Sequence, residues 1–235
     1  MKDSVMLQTP LNNRILSVLS REELDACVPY LQPVDLKHKQ VLCDIGEPFD
    51  YIYFLEQGLA SVIKTMEDGS SVEVGMLGYE GFTPVPALLG ADISEQHIVM
   101  QLPGNGYRIR VSDCRDLFET QSGFRQISLN FINSFMNFSA QTAACNRLHD
   151  LEQRLSRWLL ASQDRFRQPV LPLTQEYLAI MLGVRRSGVN EAAGRLQDQG
   201  LIDYTHGRIT LINRDGLEKA VCECYALDYK RFKEL

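Results

Sequence analysis

Residues 173–212, LTQEYLAIMLGVRRSGVNEAAGRLQDQGLIDYTHGRITLI, decide the reading of this chain. Thr174 is a good helix N-cap, because its hydroxyl can accept a backbone N–H that the first turn leaves unpaired. The helix it starts carries Tyr177, Leu178, Met181 and Leu182 on one face. At Gly183 a three-to-four-residue turn must leave that helix. A second helix is expected from about Arg185 to Asp198, with Val189, Ala192, Ala193 and Leu196 facing inward and Gly200 ending it. LIDYTHGRITLI then reads as two short strands about a His206-Gly207 turn. Helix, glycine turn, helix and hairpin is the layout of a winged helix-turn-helix.

Such a motif sends the N-terminal end of its second helix into the major groove. Here that end offers Arg185, Arg186, Ser187, Asn190 and Glu191. Arg can bridge guanine O6 and N7, Asn can bridge adenine, and Glu can accept from cytosine N4. Ser187 and the helix N-terminus suit a phosphate. His206 and Arg208 on the hairpin would lie over the DNA backbone, and Thr174 and Gln175 complete the expected contact set. An Arg pair at a helix start is by itself usually just solvated. Its setting among the cap, the glycine turn, the inward apolar positions and the hairpin makes it a DNA-reading element.

Upstream, residues 150–166 form an amphipathic helix with Leu151, Leu155, Trp158 and Leu159 on one side, and Pro169 and Pro172 break the chain after it. Before that, Phe124, Ile127, Phe131, Phe135, Phe138, Thr142 and Cys145 recur at gaps of three and four, a narrow helical stripe. This helix either covers the preceding domain or pairs with its copy in a second subunit. Four aromatics exceed what a covering helix usually needs, so the stripe is expected to be a dimer seam, with the preceding domain using an adjacent face.

Residues 32–112 have a different character. PVDLKHKQVLCD, GEPFD, YIYFLEQGLASVIKT, MEDGSSVEVGMLG and HIVMQLPGNGYRIRV are short β-rich runs between Gly, Asp and Pro turn signals, which argue for an all-β barrel or sandwich. Short helices are expected over 11–31, with Ser20 and Glu23 forming a capping box.

Composition sets the outer limits. A 235-residue chain with 45% hydrophobic and 23% charged residues is ordinary for a globular protein and fits one large or two average domains. No run approaches the length of a membrane span, and MKDSVMLQTPLNNRILSVL has neither the apolar core nor the cleavage site of a secretory signal. A cytoplasmic protein without membrane partners is expected, its six scattered cysteines reduced. Residues 1–150 hold 11 Lys and Arg against 19 Asp and Glu, whereas 151–235 hold 13 against 11, so the balance moves from −8 to +2. An acidic sensor joined to a polyanion-binding part fits that division. An enzyme is not expected. The chain has no glycine loop for nucleotides, no nucleophile elbow and no paired His and Cys in a plausible site. Glu47 and Glu80 as an acid/base pair are better read as turn carboxylates.

The chain resembles the Crp/Fnr superfamily of bacterial transcription regulators over nearly its whole length. GEPFDYIYFLEQGLASVIKTMEDGSSVEVGMLG is similar to the family's cyclic-nucleotide-binding-type β-roll, and the stripe from Phe124 to His149 to its dimerising helix. QTAACNRLHDLEQRLSRWLL and LTQEYLAIMLGVRRSGV are similar to its hinge and DNA-binding segments. The resemblance implies an α+β fold: an N-terminal β-roll of the jelly-roll type with flanking short helices over 1–122, a long dimerisation helix over 123–149, and a C-terminal winged helix-turn-helix over 150–235. It implies a homodimer that senses a signal in the β-roll and reads a near-palindromic site on double-stranded DNA, with RNA polymerase as a further partner. The competing reading is a small-molecule-sensing dimer that acts through protein contacts without specific DNA binding.

Where the family's cyclic AMP binders carry Gly-Glu for the ribose, this chain has Pro84-Val85. Where they carry Arg-Ser for the phosphate, it has His97-Ile98 or Gln96-His97, and Ser139-Ala140 stands in place of two hydroxyl residues on the helix. Without that Arg and Glu, cyclic AMP loses its bidentate partner and its acceptor. The expected effector pocket is Glu80, Gly81, Phe82, Gln96, His97 and Ser139, taking a different small molecule or none. No metal or other cofactor is expected. Only Cys27 and Cys43 lie in the first hundred residues, which is no iron–sulfur cluster. Cys222 and Cys224 fall within one expected helix, DGLEKAVCECYALDYKRF, where positions i and i+2 point about 160° apart and cannot clasp one ion. Cys145 is read as a packing residue, and His38 and His149 as surface histidines.

Overall fold

In the computed structural model, which describes residues 10–234, the chain divides into two compact units. One is formed by residues up to Val62 with Leu77–Phe135, the other by Ile63–Met76 with Met136–Glu234. Part of the N-terminal segment read for a signal sequence, residues 1–9, lies outside the described residues.

The first unit begins with α1 (Arg14–Ser17) and α2 (Arg21–Cys27). Ser20 and Glu23 form the expected capping box, and Glu23 Oε1 also accepts the Gly123 N–H at 2.6 Å. The β-roll strands follow: β1 (Gln32–Leu36), β2 (Val41–Cys43), β3 (Tyr51–Thr65), β4 (Ser71–Leu77), β5 (Phe82–Thr83) and β6 (His97–Arg110), of which the end of β3 and nearly all of β4, within Ile63–Met76, count with the second unit. YIYFLEQGLASVIKT is one 15-residue strand rather than several short ones; Ile52–Leu55 and Gly58–Ile63 are buried on both faces, as expected of apolar residues on consecutive positions, and Glu56 and Gln57 interrupt them. GEPFD forms no strand and contributes only the isolated bridge of Pro48 to Ile93. β6 pairs antiparallel with β1, setting Gln32 opposite Arg108 and Leu36 opposite Gly104, and lies beside β3 in the sheet. Glycine is required on β6: a Cβ at Gly104 would stand 2.0 Å from the Gln57 carbonyl oxygen, and one at Gly106 2.2 Å from that of Phe54.

Two helices follow, α3 (Val111–Thr120) and the 27-residue α4 (Ser122–Leu148). The aromatic stripe of α4 does not form a free seam. Phe124 and Phe131 are fully buried in the first unit's core, where ring centroids lie 6.3 Å apart for Phe54 and Phe124 and 5.0 Å for Phe82 and Phe131. Ile127 and Phe135 are half-buried. In the second unit, Phe138 sits under the guanidinium groups of Arg157 and Arg165, each 5.0 Å from its ring, Thr142 accepts from Arg157, and Cys145 is buried. The dimer-seam expectation for Phe124, Ile127, Phe131, Phe135, Phe138, Thr142 and Cys145 is therefore corrected: the stripe is largely spent inside its own chain. The residues α4 leaves exposed lie on another face, where Leu129, Asn133, Met136, Ala140 and Ala143 recur at gaps of four and three.

In the second unit α5 (Leu151–Phe166) is capped by Asp150, whose side chain accepts the Gln153 N–H at 2.9 Å. Then come β7 (Val170–Leu171), α6 (Gln175–Leu182), α7 (Arg186–Asp198), β8 (Ile202–Thr205), β9 (Arg208–Leu211), α8 (Arg214–Ala220) and α9 (Cys224–Glu234). The strands form a sheet in the order β7-β9-β8. Trp158 Nε1 donates to Glu73 Oε1 at 2.9 Å, both buried, which fixes the β3–β4 hairpin tip to α5 within this unit.

Candidate nucleic-acid interface

Thr174 caps α6 by accepting the Tyr177 N–H at 3.2 Å. The helix ends at Gly183 with φ +61°, and the Val184 N–H returns to the Ala179 carbonyl at 2.9 Å, the left-handed termination for which glycine is preferred. The chain is thereby redirected into α7, whose Val189, Ala192, Ala193 and Leu196 are all buried. Alanine at two of the four inward positions lets α7 pack closely and leaves its other face outward. That face carries Arg186, Ser187, Asn190 and Glu191, all exposed, with Arg185 exposed at the N-cap.

Gln175 joins two of these side chains. Its amide nitrogen donates to Asn190 Oδ1 at 2.8 Å, and its amide oxygen accepts from Arg186 Nε at 3.4 Å. A single side chain on α6 thus orients the two α7 residues best suited to reading bases. The hairpin supplies the third wall. His206 (φ +51°) and Gly207 (φ +71°) form the two-residue turn between β8 and β9, with Thr205 opposite Arg208. An open cleft is lined by Thr174, Gln175, Glu176, Arg186, Tyr204, His206 and Gly207. It brings together four of the sequence-expected residues. Ser187, Asn190 and Glu191 continue from it along the exposed side of α7, and Arg208 stands exposed beside the turn. Tyr204 was missed. Its β-alternation was visible in the sequence, but only the hairpin register directs it toward Arg186. Burial pushes its phenol upward against the pull of Arg186.

The expected effector residues are used differently. Phe82 is fully buried, and the ring of Phe131 fills the space beside Gly81, where a Cβ would stand 2.0 Å from Cε2. Glu80 is buried and accepts the Gly78 N–H at 2.9 Å. Gln96 is half-buried, and His97 Nδ1 lies 2.9 Å from Asp44 Oδ1, whose carboxyl it holds below the usual range. Ser139 belongs to the second unit. Glu80, Gly81 and Phe82 are thus core and turn residues in this structure rather than pocket lining, because α4 sends an aromatic ring onto them.

The C-terminal helix expected over DGLEKAVCECYALDYKRF is broken. α8 stops at Ala220, Val221 is extended (φ −76°, ψ 155°), and α9 begins at Cys224. This break corrects the expectation that Cys222 and Cys224 point apart. Their thiols and that of Cys145 meet, with Cys145 Sγ 3.7 Å from Cys222 Sγ. His149, expected at the surface, joins them, with Nδ1 3.6 Å from Cys224 Sγ and a side chain only 16% exposed. Hydrogen bonds from the Cys145 thiol and the Cys224 backbone N–H make Cys222 the most acidic of the three.

A β-roll followed by a winged helix-turn-helix defines a class of DNA-binding transcription regulators. The family model of the cyclic nucleotide-binding domain matches residues 33–121, and that of the Crp-like helix-turn-helix domain matches residues 153–220. With both domains in this order, the chain belongs to the Crp/Fnr family of transcription regulators. Among solved structures, FixK2 from Bradyrhizobium japonicum is similar at 13% identity, covering 82% of this chain and 98% of that one with a TM-score of 0.69. The c-di-GMP-responsive global regulator CLP of Xanthomonas campestris is similar at 16% identity, with 82% and 99% coverage and a TM-score of 0.68. A CRP-family transcriptional regulator from Thermus thermophilus shows 18% identity, 80% and 95% coverage, and a TM-score of 0.66. No curated protein matches the sequence significantly. Among the described residues, no helix is long and apolar enough to cross a membrane.

Proposed function

We propose that the protein is a homodimeric, sequence-specific regulator that reads a near-palindromic operator and acts on RNA polymerase at a promoter. Residues 1–122 serve as the sensor, 123–149 as the dimerisation helix and 150–235 as the DNA-binding domain. The observation that carries this reading is the Gln175 bridge, which orients Arg186 and Asn190 on the exposed face of α7. Arg186 reads guanine with Asn190 and Glu191 beside it, while Arg185, Ser187 and the hairpin residues His206 and Arg208 contact phosphates. Two-fold symmetry places the half-site centres about 34–36 Å apart.

The dimer forms through the exposed ridge of α4. Leu129 and Met136 are 41% and 62% exposed, and their spacing with Ala140 and Ala143 is that of a coiled-coil seam. The effector, where there is one, is not cyclic AMP. A phosphate brought to His97 would meet the Asp44 carboxylate already paired with it, and the apolar Val85 stands where a ribose acceptor would be needed.

Selection from a random DNA library tests the reading. A two-fold symmetric site is expected. Arg186→Ala should relax preference at one base pair per half-site by about 1–3 kcal/mol, whereas Arg185→Ala should weaken all sequences alike. Met136→Glu should yield monomers in sedimentation. An asymmetric site, or an Arg186→Ala variant with unchanged base preference, would defeat the assignment.

A further inference from the structure

The ligand atoms of Cys145, His149, Cys222 and Cys224 all lie within 4.8 Å of one another. A tetrahedral zinc ion with Zn–S near 2.3 Å and Zn–N near 2.05 Å sets S···S edges of about 3.8 Å and S···N edges of about 3.6 Å. The two separations already closed here are 3.7 Å between Cys145 and Cys222 sulfurs and 3.6 Å between Cys224 sulfur and His149 Nδ1. The three cysteines are almost fully buried and none is in a disulfide. We infer that these four residues form a structural zinc site that clips the last turn of α4 to the break between α8 and α9.

The surroundings fit that ion. His149 turns Nδ1 to the thiols, and its Nε2 lies 3.3 Å from Glu223 Oε2, the carboxylate–histidine arrangement that fixes the tautomer and orientation of a zinc-bound imidazole. Gln141 Nε2 donates to Cys224 Sγ at 3.0 Å, a bond that steadies a thiolate. Cys145 lies in the last turn of α4 and His149 directly follows the helix, its N–H donating to the Cys145 carbonyl at 3.1 Å, while Cys222 sits in the non-helical break before α9 and Cys224 at the start of that helix, so both thiols face inward. Three sulfurs and one nitrogen complete a four-coordinate set, which leaves no open position and marks a structural rather than catalytic ion. A cubane iron–sulfur cluster would tie each thiolate to a different iron and hold the sulfurs farther apart than these are. Binding displaces the remaining thiol protons to solvent, with no change in oxidation state.

The test is metal analysis of the reduced full-length protein, with zinc titrated against a chromophoric chelator. One zinc per chain is expected, and cobalt in its place should show the visible bands of a tetrahedral thiolate site. Cys222→Ser and His149→Ala should abolish both signals. Glu223→Ala keeps all four ligands and the fold, and should weaken zinc by roughly 10- to 100-fold. Thiols of the wild type that react equally fast with and without zinc, a cobalt complex lacking those bands, or iron with acid-labile sulfide in place of zinc would each overturn the assignment.

Discussion

The interior of the first unit is aromatic, whereas that of the second is laced with charge. Phe54, Phe82, Phe124 and Phe131 pack between the β-roll and α4 as tilted rings with centroids 5.0–6.3 Å apart. The second unit instead buries Arg157 against Asp228 at 2.6 Å and ties Arg214 to both Asp164 and Tyr225. Long strands present broad apolar faces that large rings can fill. Short helices joined by tight turns do not, and α7 brings alanines to its core positions so that its polar face can stay outward. There, directional contacts between buried charged groups help to fix how the helices meet. The comparison teaches that here the helix-turn-helix is positioned by polar geometry, and the core of the β-roll by volume.

Removing volume should therefore hurt the first unit most. Phe131→Ala deletes a ring that touches Phe82, Phe135 and Gly81, and should cost about 3–5 kcal/mol in denaturant unfolding. A loss below about 1 kcal/mol would mean that α4 is not a core element of the roll.

Breaking a charge pair should rank next. Asp228→Ala strands Arg157 in the interior and should cost about 3 kcal/mol, the lower end for a broken buried pair, since the guanidinium keeps its stacking on Phe138. The double change Arg157→Met with Asp228→Leu should recover part of that loss, because the buried pair is removed together while Arg231, 3.9 Å from Asp228, still loses its carboxylate. If the double variant is stable but binds its operator poorly, the pair acts by setting helix geometry.

What could be read from the sequence divides along the same line. The Ser20–Glu23 box, the Thr174 cap, the Gly183 exit and the His206-Gly207 turn depend on residues within a few positions of one another, so local chemistry exposes them. The period of the α4 stripe revealed that one face is buried, but not what it is buried against. Periodicity is silent on the partner, and Phe131 against Phe82 bridges distant positions. The break at Val221–Glu223 has no glycine or proline to announce it. It is held by contacts to Cys145, His149 and Asp164 that lie 61–77 positions away. At the DNA face, residue types at the start of α7 were legible from the motif. The Gln175 bridge, a contact between separate helices, was not.

That bridge carries the smallest effect and the most specific one. Gln175→Ala removes two exposed hydrogen bonds, so folding stability should change by less than about 0.5 kcal/mol. Arg186 and Asn190 keep their chemistry but lose the group that holds them at fixed angles, so each must be ordered on binding at a cost of about 0.5–1.5 kcal/mol per side chain. Operator affinity should fall by about tenfold, and the loss should concentrate at the base pairs that Arg186 and Asn190 contact. The salt slope should stay unchanged, because no phosphate contact is removed. Binding measured over a salt series, with the operator and with single-base variants, separates the outcomes. A shallower slope with intact base preference would place Gln175 on the DNA backbone instead.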